Sequence, residues 1–209
     1  MKIKGFHDTI GWYNKNASKY AQSIKNIPSV GLDEFIKEIP KDSKVLDAGC
    51  ASGRDTKLIA DKGINIVGID LSLELIKIAR KNYPNIEFIE GNFLNLPFLN
   101  GSFGGIWAHA SLLHFETVEE VVDALKEFYR VLMLKGILHL FVKEKTSEKK
   151  FDVVSDVLSQ HNRFFQYFTK EEIENYLKKV GFKIIKIDKC DDSAGRSDVK
   201  WILCLAKKD

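Results

Sequence analysis

Val45-Leu46-Asp47-Ala48-Gly49-Cys50-Ala51-Ser52-Gly53-Arg54-Asp55 is an apolar run that breaks into small residues and then into a helix-forming segment. Read locally, residues 44–47 form a strand, the small residues a tight turn, and the chain continues as a helix through Asp61. Small side chains let a backbone bend sharply and let a ligand come close to it. In open α/β sheets ligands bind at such strand-to-helix turns. Asp70 closes a second apolar run, residues 65–69, and a carboxylate at that point can accept hydrogen bonds from vicinal ribose hydroxyls.

Strand and helix signals alternate outward from this stretch. Further strands are expected at residues 86–90, 103–108, 136–142, 183–189 and 199–206. Ser72 is placed to cap a helix, and Thr117 with Glu120 and Thr169 with Glu172 read as capping boxes. Gly181 suits a helix stop. On the N-terminal side Leu32, Phe35, Ile36 and Ile39 recur at helical spacing, so residues 1–40 read as a helical cap on a core of residues 41–209. The last two strands have no room for a crossover helix between them and are therefore expected to be antiparallel. The whole reads as one α/β domain, a mostly parallel sheet with helices on both faces and an antiparallel last strand. Residues 143–150 read as a charged, solvated loop, and residues 191–198 as a polar hairpin loop.

A length of 209 residues is enough for a full core in one domain. A net charge of +3 gives no argument for a nucleic-acid partner, which a concentrated basic face would signal. Cys50, Cys190 and Cys204 are odd in number and form no CxxC pair, so neither a disulfide framework nor a metal site is expected. No stretch reads as a signal peptide or a membrane span, and the expected location is the cytoplasm.

The turn followed by an acid about 20 residues later also occurs in dinucleotide folds. Two features oppose a nicotinamide cofactor here. The G-x-G-x-x-G pattern is absent, and Asp47, two positions before Gly49, would repel a pyrophosphate while attracting a cationic sulfonium or ammonium group. The sequence resembles the class I S-adenosylmethionine-dependent methyltransferase family, with its tellurite and small-molecule branches. Asp47, Gly49, Ala51 and Gly53 match the family's acid-x-G-x-G-x-G motif, with alanine for the middle glycine, and Asp70 with Leu71 matches its second-strand acid. Gly91-Asn92-Phe93, then Leu96-Pro97-Phe98, resembles the adenine-contacting segment, and Phe103-Gly104-Gly105-Ile106-Trp107-Ala108 the fourth strand. The run Tyr129 to Gly136 resembles the turn before strand five, although Leu134 and Ile137 stand where proline and a second glycine are usual.

The resemblance implies a Rossmann-like seven-stranded sheet and S-adenosylmethionine as cofactor, with S-adenosylhomocysteine as product. It assigns cofactor contacts to Asp47, Gly49, Ala51, Gly53, Arg54, Asp70, Leu71, Asn92, Phe93 and Ala108. Arg54 and Asp55 either orient the methionine ammonium and carboxylate or pair with each other. The acceptor site falls to the N-terminal helices and to the loops after strands four and five. Tyr13 and Tyr20, seven apart, form a lid or pack on the sheet. His114 acts as a base or has a structural role, with His7, His109, His139 and His161 weaker candidates. Residues 161–169 carry four aromatics beside Arg163, and read as a pocket wall or as core. Arg163 and Tyr167 are the substrate-binding candidates there. The leading expectation is methyl transfer to a small molecule. Transfer to transfer RNA or another RNA, and a non-catalytic cofactor-binding regulator, are the alternatives.

Overall fold

Val45–Ala48 (β1) is buried at every position, which only the centre of a sheet covered on both faces provides. In a computed structural model that describes residues 6–156 and 161–209, Ile66–Asp70 (β2) and then Glu87–Glu90 (β3) extend the sheet to one side of β1. Phe103–His109 (β4) and Leu132–Lys143 (β5) extend it to the other, and these five strands are parallel. Phe151–Asp156 (β6) and His161–Gln166 (β7) form a separate antiparallel hairpin. Phe182–Asp191 (β8) and Lys200–Lys208 (β9) complete the sheet, with β9 antiparallel to both β5 and β8. The order is β3-β2-β1-β4-β5-β9-β8, the seven strands expected.

Phe6–Lys15 (α1), Ala17–Ile24 (α2) and Leu32–Glu38 (α3) precede β1, and the third inserts the fully buried Phe35 against Trp107 and His139. Arg54–Ala60 (α4) and Leu73–Asn82 (α5) connect β1 to β2 and β2 to β3, whereas Val118–Val131 (α6) connects β4 to β5 in the opposite direction across the sheet. Right-handed crossovers therefore place α4 and α5 on one face and α6 on the other, where Lys170–Val180 (α7) joins it. The capping boxes at Thr117–Glu120 and Thr169–Glu172 are both formed, Ser72 caps α5, and Gly181 ends α7 with φ 110°. α6 buries Val121, Val122, Ala124, Leu125, Phe128 and Val131, so truncating Phe128 to alanine would cost about 3–5 kcal/mol.

Several local expectations are corrected. Tyr13 and Tyr20 sit on two helices, separated at Asn16, yet their rings meet at 4.9 Å. β5 begins at Leu132, four residues before the expected start, because Leu132 pairs with Phe103 before a register shift. Lys143 is the last residue of β5 and not part of a solvated loop. The aromatic stretch at 161–166 is a strand, with β6 as its partner. The hairpin loop after β8 is present, but its Asp192 is buried.

Candidate active site

The sheet order reverses between β1 and β4, so the two connections leave in opposite directions and open a crevice at their C-terminal ends. The β1 turn is fixed by the neighbouring strand. The Gly49 and Cys50 amides both donate to the carbonyl of Ile69, at 2.9 and 3.1 Å. Gly49 has φ 89°, and a Cβ there would come within 2.4 Å of Ser111 Cβ and 3.5 Å of Phe93, so glycine is required both by conformation and by space. Asp70 holds the next step of the turn, accepting from the Ala51 amide at 2.9 Å and from the Ser72 amide at 2.8 Å. Burial raises its pKa, opposed by the amides of Ser72, Ala51 and Leu71. Ala51 occupies the left-handed region at φ 48°, so the position of the family's middle glycine retains the backbone shape of glycine. Gly53 is favoured both by conformation, at φ 84°, and by packing, since a Cβ there would strike Phe88 and Tyr83 where α4 meets its neighbours.

Two connected lobes lie over this turn. The smaller, about 80 Å³, is lined by Ile10, Leu71, Leu75, Phe93, Asp70 and Ser111, among others. The larger, about 710 Å³, reaches Asp47, Arg54, Asp55, Lys143, Arg163 and Trp201. Tyr13, Tyr20, Gly49, Ala51, His109, Ala110 and His114 border both. Ala110, at φ 57°, turns the chain out of β4 and brings Ser111 beside Gly49. The Ser111 hydroxyl is buried without a hydrogen-bond partner, so the smaller lobe presents a polar atom still to be satisfied.

At the floor of the larger lobe, Asp47 accepts from the Thr56 hydroxyl at 2.5 Å. Burial, with Asp55 adding to it, raises the Asp47 carboxyl to about 8. Asp55 accepts from Arg54 Nε at 2.6 Å, the Ser29 hydroxyl at 2.6 Å and Trp107 Nε1 at 2.9 Å. Burial works to raise it, but His109, Arg54 and Ser29 outweigh burial and hold it well below the usual carboxylate range. Arg54 and Asp55 therefore pair, and both also face the chamber.

Above the turn, Tyr13 Oη lies 2.9 Å from His114 Nε2, and His114 Nδ1 lies 2.8 Å from the carbonyl of Phe164. A carbonyl only accepts, so Nδ1 carries the proton and Nε2 accepts from the tyrosine. Burial pulls His114 down to about 4, leaving it neutral. Burial pushes Tyr13 well up, with nearby Tyr20 adding to it and Arg163 partly opposing. Arg163 lies 3.9 Å over the Trp12 ring with its Nε buried and unpartnered. Lys143 Nζ lies 3.9 Å from the Phe165 ring centre.

Of the expected cofactor residues, Asp47, Gly49, Ala51, Arg54, Asp70, Leu71 and Phe93 line the lobes. Gly53, Asn92 and Ala108 do not: Asn92 Oδ1 accepts from the Leu94 amide at 3.0 Å, and Ala108 is fully buried inside β4. Of the acceptor candidates, Tyr13, Tyr20, His114 and Arg163 are brought together, whereas Tyr167 turns away and donates to Asp152 at 2.9 Å. His161 faces Asp8 at 2.8 Å, His139 stacks on Trp107, and the His7 side chain lies outside the described residues. Sequence reasoning missed Ala110, Lys143, Asp192 and Trp201, and gave His109 only a weaker claim. The small pair Ala110-Ser111 directly after a strand was a usable signal for the first of them. Among the described residues, no cluster of three or more His, Cys, Asp or Glu side chains is placed to hold a metal ion.

The comparisons agree with this geometry. A methyltransferase-domain family model matches residues 45–136, from β1 to the turn within β5. A demethylmenaquinone methyltransferase of Chlorobaculum tepidum is 31% identical over 129 residues, covering 56% of this chain and 52% of that protein. An uncharacterised protein of Methanocaldococcus jannaschii is 30% identical over 201 residues, covering 83% of this chain and 76% of the other. The chain thus spans about half the length of the first of these relatives and most of the second. A crystal structure of a methyltransferase from Methanosarcina mazei superposes with a TM-score of 0.74 at 22% identity, covering 83% of this chain and 95% of the other. Asp47 in β1, the Gly49 turn and Asp70 all lie within the matched segment, and the chain belongs to the class I S-adenosylmethionine-dependent methyltransferase family.

Proposed function

We infer that this protein transfers a methyl group from S-adenosylmethionine to a small molecule. The observation that carries the reading is the two-lobed chamber at the sheet reversal, whose lobes join at Gly49 and Ala51 beneath Tyr13 and Tyr20. The residues fit the cofactor. A Cβ at Gly49 would fill the cradle, Ser111 offers an unsatisfied hydroxyl, and Phe93, Leu71 and Leu75 supply an apolar wall suited to a purine. In this reading Asp70 accepts from the ribose hydroxyls with the lone pairs its backbone contacts leave free, and Asp47 faces the cofactor's ammonium group. When bound, S-adenosylmethionine supplies a methyl already activated by its sulfonium. The chain's own contribution is then placement of the acceptor and exclusion of water by Tyr13, Tyr20, Trp12 and the β7 wall.

His114 acts through Tyr13. Its accepting nitrogen is taken by the tyrosine hydroxyl and burial has lowered its basicity, so it positions Tyr13 Oη toward the chamber. Size supports a small acceptor over RNA: a cavity of about 710 Å³ falls in the range of small-molecule sites, and part of it must take the methionine end of the cofactor. The C. tepidum relative is named for a quinone acceptor, which is of the same class. The same reading makes residues 1–40 the cap and residues 41–209 the core of one methyltransferase domain. It places the protein in the cytoplasm, supported by three free cysteines and by the lack, among the described residues, of a helix able to cross a membrane. The test is calorimetry with S-adenosylhomocysteine and NAD, followed by incubation of labelled S-adenosylmethionine with a metabolite extract and with total RNA. Saturable binding of S-adenosylhomocysteine alone and label in the metabolite fraction are expected; label in RNA alone refutes the small-molecule acceptor.

A further inference from the structure

Resting on that reading, we propose that the acceptor is a planar, conjugated anion whose oxyanion is held by Lys143 and Arg163, in the part of the larger lobe that the smaller lobe does not share. Five cations line the larger lobe: Lys19, Arg54, Lys143, Arg163 and Arg196. Arg54 is neutralised by Asp55 and Arg196 by Asp192. Lys143 and Arg163 form no ion pair among the described residues, and both approach the same ring, Phe165, at 3.9 and 5.2 Å. The unpartnered, buried Nε of Arg163 is a hydrogen-bond donor that the protein itself does not satisfy.

Neither cation has an ion-pair partner among the described residues, and the charge of Arg163 disfavours that of Lys143, so an anion held by both would be stabilising. The carboxylates near Lys143 do not fill that role. Asp192 is committed to Arg196 and to Trp201 Nε1, at 2.7 and 2.8 Å, and Asp152 to Tyr167 and Lys149, at 2.9 and 3.2 Å. Lys143 itself is lowered to about 8 by burial, with Arg196 and Arg163 adding to the effect and Asp152 and Asp192 only partly opposing it. The shape of the ligand follows from the walls. Phe141 and Trp201 stack with their planes 9° apart, Phe165 lies under both cations, and Trp12 lies under Arg163. Flat aromatic walls favour a flat ligand, and a guanidinium with an ammonium favours an oxyanion at its edge. Such a ligand would lie beneath Tyr13, which is within hydrogen-bond reach of Arg163, and extend toward His109 at the shared border of the lobes.

The experiment uses the full chain saturated with S-adenosylhomocysteine and reads tryptophan fluorescence and calorimetry during titration with 2-naphthoate and its neutral isostere 2-naphthamide. Wild type is expected to prefer naphthoate over naphthamide by tenfold or more. Lys143→Met and Arg163→Met should each remove most of that preference, and Lys143→Arg should restore it, while S-adenosylhomocysteine affinity stays within twofold in all variants. Equal binding of the acid and the amide, no binding of either at millimolar concentration, or a preference that survives the double substitution would overturn the proposal. Failure of S-adenosylhomocysteine to bind wild type would instead overturn the cofactor reading, so the two failures are distinguishable.

Discussion

Removing the Asp70 carboxylate should damage two things at once, and they can be measured separately. The carboxylate accepts from the amides of Ala51 and Ser72, at 2.9 and 2.8 Å. In Asp70→Ala both amides lose a buried partner, at about 1–3 kcal/mol each. The two together lose about 2–6 kcal/mol, and at about 2–4 °C per kcal/mol for a domain of this size the melting temperature of the ligand-free protein should fall by roughly 4–24 °C. Asp70→Asn keeps one accepting oxygen but turns an NH₂ toward the other amide, so about half of that loss is expected. The ribose contribution is isolated by comparing S-adenosylhomocysteine with its 2′,3′-dideoxy analogue. A hydrogen bond to a charged acceptor is worth about 1.5–3 kcal/mol, so each ribose hydroxyl that Asp70 accepts from should favour the hydroxylated ligand by roughly 10- to 150-fold. In Asp70→Ala that preference should shrink to a few-fold, whatever happens to overall affinity. A variant with a lowered melting temperature but wild-type discrimination would refute the ribose role and leave Asp70 as a purely structural acceptor. Wild-type stability would refute its role in holding the turn.

Three further outcomes follow from the site. Gly49→Val should abolish S-adenosylhomocysteine binding by calorimetry, since its Cβ would meet Ser111 Cβ at 2.4 Å from a backbone at φ 89°, and retained binding would show that the turn is not the cofactor cradle. Asp47→Asn should stabilise the ligand-free protein increasingly with pH: burial and Asp55 raise this carboxyl from an unfolded value near 4 to about 8, so its stabilising protonation is complete below about pH 4 and lost as pH rises through about 8. The gap in melting temperature between variant and wild type should therefore widen from about pH 5 to about pH 8.5, and a constant gap would argue against the buried, protonated carboxyl. Tyr13→Phe and His114→Leu should lower kcat for the true acceptor by similar factors and be non-additive, with His114→Gln retaining more activity than the leucine variant; additive losses would mean that the two side chains act independently.

The cofactor half of the site was legible because it is made from neighbouring sequence. The β1 turn, Asp70 and Phe93 follow one another along the chain, and strand and helix periods locate their ends. The acceptor half was legible in part. Lys143 opens a run of alternating charges, Lys143-Glu144-Lys145, which reads as solvated. Only the pairing of Lys143 with Trp201 across β5 and β9 turns it into the chamber, and that register is a long-range fact. The β6–β7 hairpin was obscured for a similar reason. Phe151, Val153 and Val154 are all exposed, and in β7 the two buried side chains, Phe164 and Phe165, are adjacent, so neither strand alternates as a half-buried strand should. Asn92 and Ala108 were assigned by position in a motif, and Tyr167 by its place among the aromatics beside Arg163; Asn92 Oδ1 accepts from the Leu94 amide, Ala108 is buried inside β4, and the Tyr167 hydroxyl is bonded to Asp152.

The two halves are joined by α1, and this determines how they can influence each other. Asn14 Oδ1 accepts from the Ser72 hydroxyl at 2.8 Å and from the Glu74 amide at 3.2 Å, tying the helix to the segment that follows Asp70. Six residues earlier on the same helix, Asp8 accepts from the Asn162 amide at 2.9 Å, and the Thr9 hydroxyl accepts from the Phe164 amide at 2.9 Å, tying it to β7 beside Arg163 and Phe165. Tyr13 lies between these attachments and borders both lobes. A ligand that displaced Tyr13 from the cofactor side would therefore pull on the strand that carries Arg163, and an acceptor seated against that strand would tighten the roof over Asp70 and Ser72. Because Asp8, Thr9 and Asn14 are hydrogen-bonded to backbone amides of other elements, α1 is held at both ends. A packed helix with named contacts to both lobes is a physical route by which binding on one side would influence the other, and any such coupling would be reciprocal.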